Sequence, residues 1–228
     1  MKWRELAADA RETMKNFFAP ENISCHLCQT LLWEGENLLC ASCAGELEKS
    51  RIPPQEAASR LSDTLLLEVS AFWYQTQAKE LILALKFGHD RRAALPLAYG
   101  MAAAYGDFAD LLASCRTAVS VPSHAARVDT RGYVQAELLA EAFCEIVRLP
   151  YERNALKRVD NSASQVSRNR EERLRSMEGA FTAQRLWKGE ALLLIDDVLT
   201  TGATATACAR CLLEAGASQV ALLTACKA

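Results

Sequence analysis

The sequence predicts an α/β protein, a parallel sheet flanked by helices, with a small cysteine-bearing module ahead of it. Three observations carry that expectation. Wholly apolar runs, of which Ala191 to Ile195 is the clearest, alternate with stretches of helical period, and strands without polar alternation belong to parallel sheets covered on both faces. Four of the nine cysteines fall in two CxxC pairs near the front. A pair of acids and a threonine-glycine turn follow the clearest apolar run, which is the strand edge where open parallel sheets bind ligands.

Taken in order, Trp3, Leu6, Ala10, Met14, Phe17 and Phe18 form one stripe at helical period and predict an amphipathic N-terminal helix. Residues 1–48 hold this helix and the cysteine module, and 49–64, with Pro53 and Pro54, reads as a linker. Residues 65–228 form the α/β domain. Strand character near Leu65 to Tyr74 leads to a helix over Ala78 to Phe87 and another over Ala93 to Gly106. A strand at Thr117 to Val121 and a helix at Gln135 to Arg148 precede a basic loop. The strand Ala191 to Ile195, a helix at Ala203 to Ala215 and a strand at Gln219 to Thr224 complete the domain.

Totals narrow the class. The 228 residues suffice for one sizeable core and a small appendage. With 50% hydrophobic and 24% charged residues and a net charge of −2, the composition is that of an ordinary globular protein. No global basic excess points to nucleic acid, so such a partner needs a local patch. No apolar run reaches the ~18–20 residues of a membrane span, and the charged N-terminus lacks a signal-peptide centre. The expected location is the cytoplasm, where thiols stay reduced and nine cysteines do not read as a disulfide framework.

Cys25, Cys28, Cys40 and Cys43 have the spacing of a closed, structural Zn²⁺ site, in which each CxxC turn offers two thiolates to one tetrahedral metal. The segment between the pairs is only eleven residues long, so a metal would replace a core too small to form alone. Two redox pairs are the alternative. His26 lies inside the first turn but is not needed as a ligand. Cys208 and Cys211 repeat the spacing inside a continuous helical pattern and read as helix residues.

Asp196 and Asp197 fall at the ligand-binding edge. Thr200, Thr201, Gly202, Ala203 and Thr204 then open a helix with hydroxyls, backbone N–H groups and a glycine that admits an anion closely. A phosphate suits the turn, and the acids suit the hydroxyls of a sugar on the same molecule. A helix cap by Asp197 and Thr200 is the simpler alternative, but it uses one acid and not two. The lysine of a GxxxxGK[ST] loop is absent.

This strand, acid pair and TTGAT turn resemble the phosphoribosyl-pyrophosphate (PRPP) motif of type I phosphoribosyltransferases. With its cysteine module the chain resembles the ComF/GntX family, linked to natural competence. KELILALKFGHD (Lys79 to Asp90), VPSHAARVDTRGYVQAELLA (Val121 to Ala140) and QVSRNREERLRSMEGAF (Gln165 to Phe181) extend the likeness over nearly the whole length. The resemblance implies a type I phosphoribosyltransferase-like domain behind a zinc-ribbon-like module. It implies that Asp196 and Asp197 hold the ribose hydroxyls with Mg²⁺ shared by sugar and pyrophosphate, and that residues 200–204 cradle the 5′-phosphate. Arg127, Arg131 and Gly132 match the pyrophosphate loop, Lys86 the family's recurrent Lys-Phe, and Lys157 and Gln165 the basic loop that covers the site. Val134, Arg168 and Ser176 depart from the family's usual Asn, Leu and Asn.

Three functions follow. A phosphoribosyl transfer would have an acceptor attack ribose C1 as pyrophosphate leaves, as in nucleobase salvage, although no acceptor pocket is legible. A nucleic-acid role would use the segment 153–175, with seven Lys/Arg against three acids, to follow single-stranded DNA, beside the helicase-like partner the family implies. A PRPP sensor without turnover is the third.

Overall fold

A computed structural model describes residues 24–32, 36, 38–59, 64–88, 90–123, 132–159 and 180–228. The expected N-terminal helix lies outside them.

In chain order the elements are α1 (Ala41–Lys49), α2 (Pro54–Ala57), β1 (Ala58–Ser59), β2 (Glu68–Trp73), α3 (Thr76–Phe87), a 3₁₀ turn (Arg91–Ala93), α4 (Ala94–Asp107), α5 (Ala109–Leu112), β3 (Cys115–Ser120), α6 (Gln135–Val147), β4 (Leu156–Arg158), β5 (Phe181–Ala183), β6 (Ala191–Leu199), α7 (Ala203–Glu214) and β7 (Gln219–Lys227). The main sheet has the order β1-β2-β7-β6-β3. β2, β7, β6 and β3 are mutually parallel, and β1 is an antiparallel edge strand on β2. β4 and β5 form a separate antiparallel pair.

The apolar run of β6 supplies both faces of the sheet. Side chains alternate across a strand, and Leu193 and Ile195 join one buried cluster while Leu192 and Leu194 join the other. The first face packs under α3, α4 and α6 through Leu81, Leu85, Met101, Leu139 and Phe143. The second is covered by α7 and Trp187. Gly100 in α4 lies directly over Phe72, where a Cβ would come within 2.1 Å of the ring, so the helix can approach β2 only at a residue without a side chain.

Two strands run further than the apolar pattern predicts. β6 continues through both aspartates to Leu199, because β7 pairs with it as far as Leu199↔Lys227. The segment read as a linker carries structure of its own. Pro54 starts α2, β1 follows, and Ile52 N–H donates to Ala71 O at 3.0 Å while Trp73 N–H donates to Ser50 O at 2.8 Å. The cysteine module packs on the same core, with Leu39 and Leu47 buried in the helix-covered cluster and Leu38 against Leu95 of α4. Among the described residues no helix is long and apolar enough to cross a membrane.

Candidate ligand cleft and four-cysteine centre

The carboxyl edge of the sheet opens into a cleft of about 610 Å³. Lys86 from the last turn of α3, Asp196 and Asp197 from β6, Thr200 and Thr204 from the following turn, and Arg158 from β4 all line it. Lys86 Nζ lies 2.9 Å from Asp197 Oδ2, with the two side chains 26% and 15% exposed. Asp196 Oδ1 accepts from Asp197 N–H at 2.8 Å. Burial and then the neighbouring Asp197 charge push the Asp196 carboxyl from its ordinary 3.8 up to about 8, against the opposing pull of the Asp197 N–H and Lys86. At neutral pH Asp196 therefore carries its proton and can both donate and accept hydrogen bonds.

The turn between β6 and α7 leads straight into the N-terminus of α7. Gly202 is buried with φ +74° at the N-cap of α7, a conformation that favours glycine. Thr206 N–H donates to Gly202 O at 2.8 Å, while Ala203 N–H reaches Thr201 Oγ1 at 3.4 Å. The N-cap is thus Gly202, with no side chain capping the helix. Asp197 faces Lys86 instead, so a capping role does not account for the acid pair.

Lys157 and Arg158 are adjacent on β4 and face opposite ways. Lys157 is exposed, whereas Arg158 lines the cleft with its guanidinium 5.5 Å from the centre of the Phe181 ring. Strand parity is the signal that separates them, but a three-residue strand is too short to announce itself. Gly132 is exposed with φ +73°. Arg127, Arg131 and Gln165 lie outside the described residues. Tyr74, Phe87 and Gln135 also line the cleft. The sequence reading named neither Tyr74 nor Gln135, which reach it only through the meeting of β2, α3 and α6. Val134 adds apolar surface where the family commonly has Asn.

In the cysteine module, the sulfur atoms of Cys25, Cys28, Cys40 and Cys43 all lie within 4.8 Å of one another. A tetrahedral metal with bonds of about 2.3 Å separates its ligands by about 3.8 Å, and Cys28 Sγ is 3.6 Å from Cys40 Sγ. Cys25 and Cys28 sit on a tight turn, Gln29 N–H donating to Cys25 O at 2.9 Å. Cys40 and Cys43 occupy the N-cap and first turn of α1. Hydrogen bonding to Thr30 holds the Cys28 thiol low, at about 6, toward the thiolate that metals require. Burial raises that of Cys43. The donor set fits a closed tetrahedral ion and could bind zinc.

Comparison with known proteins agrees with this geometry. A family profile described as a phosphoribosyl transferase domain matches residues 126–228. Competence protein ComFC of Bacillus subtilis (strain 168) is 29% identical over 207 residues, 86% of this chain and 80% of that one. DNA utilization protein YhgH of Escherichia coli (strain K12) is 30% identical over 109 residues, 48% of each chain. Competence protein F of Haemophilus influenzae is 28% identical over 105 residues, 45% of this chain and 46% of that one. The chain therefore spans about half the length of the last two relatives. Profile, sheet and cysteine cluster together give a type I phosphoribosyltransferase-like fold with an N-terminal four-cysteine module.

Proposed function

We propose that this chain is a ComF-like phosphoribosyltransferase-domain protein, that its cleft binds PRPP with Mg²⁺ and that the protein acts in the handling of incoming DNA. The observation that carries the ligand is the convergence of Lys86, the two aspartates and the Gly202 turn on one cleft. Asp196 and Asp197 hold the ribose 2′- and 3′-hydroxyls. Residues Thr200 to Thr204 take the 5′-phosphate on backbone N–H groups at the start of α7. Lys86 and Arg158 meet the pyrophosphate, and Arg127, Arg131, Gly132, Lys157 and Gln165 keep the pyrophosphate-loop and basic-loop roles that the family resemblance implies.

Asp197 is matched by Lys86, and burial draws the Asp196 carboxyl toward its protonated form. Mg²⁺ prefers phosphate oxygens and water, so it fits here as an ion bound through the ligand, where it supplies neutralisation of the pyrophosphate charge. The four thiolates hold structural zinc. If transfer occurs, the cleft residues stabilise the cationic sugar and the departing pyrophosphate electrostatically.

Titration calorimetry with PRPP and Mg²⁺ tests the ligand. Wild-type protein binds, and Asp197→Asn loses affinity by roughly thirty-fold or more, as removal of a charge-assisted bond costing ~2 kcal/mol predicts. Unchanged affinity in a folded Asp197→Asn protein refutes the assignment. The DNA role is supported by the names of the relatives, competence and DNA utilization proteins. Gel shifts with single-stranded DNA across a salt series test it, since phosphate contacts give a steep salt dependence.

A further inference from the structure

The four-cysteine module meets the segment just beyond α3 through His26 and Asp90. His26 lies inside the Cys25–Cys28 turn, and its N–H donates to Leu38 O at 2.8 Å. The ring's position is therefore set by the same turn that carries two of the thiols. Its side chain is only 5% exposed, and Nε2 is paired with Asp90 Oδ2. Four thiolates already complete a tetrahedron, so the burial of a histidine beside them needs another account.

Asp90 supplies one. Its Oδ1 accepts from Arg92 N–H at 3.1 Å, opening the 3₁₀ turn that leads into α4. Its own N–H donates to Ala84 O at 3.3 Å, and Gly88 N–H donates to the same carbonyl at 2.9 Å. Ala84 and Asp90 thus bracket Lys86, whose ammonium meets Asp197. From the other side, Tyr133 OH and Gln135 Nε2 donate to Leu85 O at 2.8 and 3.4 Å. The carbonyls of a helix's last turn have no partners within the helix, so the place of the end of α3 depends on what is bonded to it. One of those bonds is fixed by the cysteine module.

We propose that His26 and Asp90 are positioning residues which fix the Lys86 end of α3 and thereby couple the state of the four-cysteine module to ligand affinity in the cleft. The inference rests on the reading of Lys86 as a ligand contact. Truncating His26 removes this close contact while Asp90 keeps the backbone N–H and guanidinium of Arg92, so what is lost is the placement of Asp90 relative to the module. Loss of metal, which frees the Cys25–Cys28 turn, would act on the cleft in the same direction without altering any residue that lines it.

The experiment compares full-length wild type, His26→Ala, Asp90→Ala, Lys86→Met and the double variant His26→Ala/Lys86→Met. Zinc per chain, thermal stability and PRPP·Mg²⁺ affinity are measured for each. His26→Ala and Asp90→Ala are expected to keep their zinc and to weaken PRPP roughly five- to thirty-fold. In the Lys86→Met background His26→Ala should cause no further loss, which a general destabilisation would not reproduce. If His26→Ala sheds its metal, Asp90→Ala, alone and combined with Lys86→Met, makes the same comparison from outside the module. Wild-type affinity in a zinc-loaded variant overturns the coupling, as does a loss that adds undiminished to that of Lys86→Met. Absence of PRPP binding by the wild-type chain overturns the ligand reading instead, and this inference with it.

Discussion

Replacing Asp196 by Asn should stabilise the protein at alkaline pH. The folded protein holds this carboxyl at about 8 against an ordinary 3.8. Below about pH 4 the group is protonated both folded and unfolded, and it costs nothing. As pH rises from about 4 through 8 the unfolded chain releases the proton and the folded one retains it, so stability is lost across that window and levels off above it. The displacement corresponds to at most ~6 kcal/mol at 1.36 kcal/mol per tenfold change in proton affinity. Asp196 keeps partial exposure, and local opening admits water to a buried charge, so ~2–3 kcal/mol is the better expectation. Asn keeps an oxygen for the Asp197 N–H and carries no charge to bury. For a chain of this size ~1 kcal/mol moves the melting temperature by about 2–4 °C. Thermal melts of the two proteins from pH 5 to 9 should diverge with pH, the variant melting about 4–12 °C higher at pH 9. Parallel curves, or a variant that is the less stable at pH 9, would refute the account of how this carboxyl is held.

Four other outcomes follow. Native protein should contain about one zinc per chain, and Cys25→Ser should unfold the module; metal analysis and proteolysis check both, and a metal-free native protein rules the site out. Arg158→Ala should weaken PRPP more than Lys157→Ala, since only Arg158 lines the cleft; calorimetry decides, and the reverse order returns the role to Lys157. Lys86→Met should weaken PRPP binding, since it removes the cation that lies 2.9 Å from Asp197; calorimetry checks it, and unchanged affinity would take Lys86 out of the site. Gly100→Ala should cost ~1–3 kcal/mol in denaturant melts, because its Cβ would meet the Phe72 ring at 2.1 Å; a neutral effect would mean that the helix shifts freely.

The parts of the fold legible beforehand were those with strong local signals. The run from Leu192 to Ile195 admits little but a buried strand, and the helices at Thr76–Phe87 and Gln135–Val147 lie within two residues of where their apolar spacing puts them. CxxC spacing encodes turn geometry directly, so the cysteine cluster needed no tertiary information. The misread features depend on contacts distant in sequence. β1 is two residues long and exists because Ala58 and Ser59 meet Val69 and Glu68. β4 and β5 are three-residue strands whose pairing joins segments far apart in the chain, and without that pairing nothing distinguishes Arg158 from Lys157. Composition showed His26 and Asp90 separately, but only folding brings them together.

The same logic explains how two consecutive residues of one strand come to serve one cleft. Alternation along a strand sends neighbouring side chains to opposite faces, and in the middle of β6 it does so, dividing Leu192 to Ile195 between two cores. At Asp196 and Asp197 one neighbour has gone. β3 pairs with β6 only as far as Ser120↔Ile195, whereas β7 continues to Leu199↔Lys227. Beyond Ile195 the strand is held on one side and open on the other, and both carboxyls reach the space that β3 vacates. A fold needing only a strand end and a helix cap would find both in Leu199 and Gly202. It would have no use for a carboxyl pushed far from its ordinary ionisation, beside a second acid that requires a lysine from another element. The proposed ligand role gives a purpose to a cost borne at the open edge of the sheet and removable by a single amide, where the scaffold alone gives none.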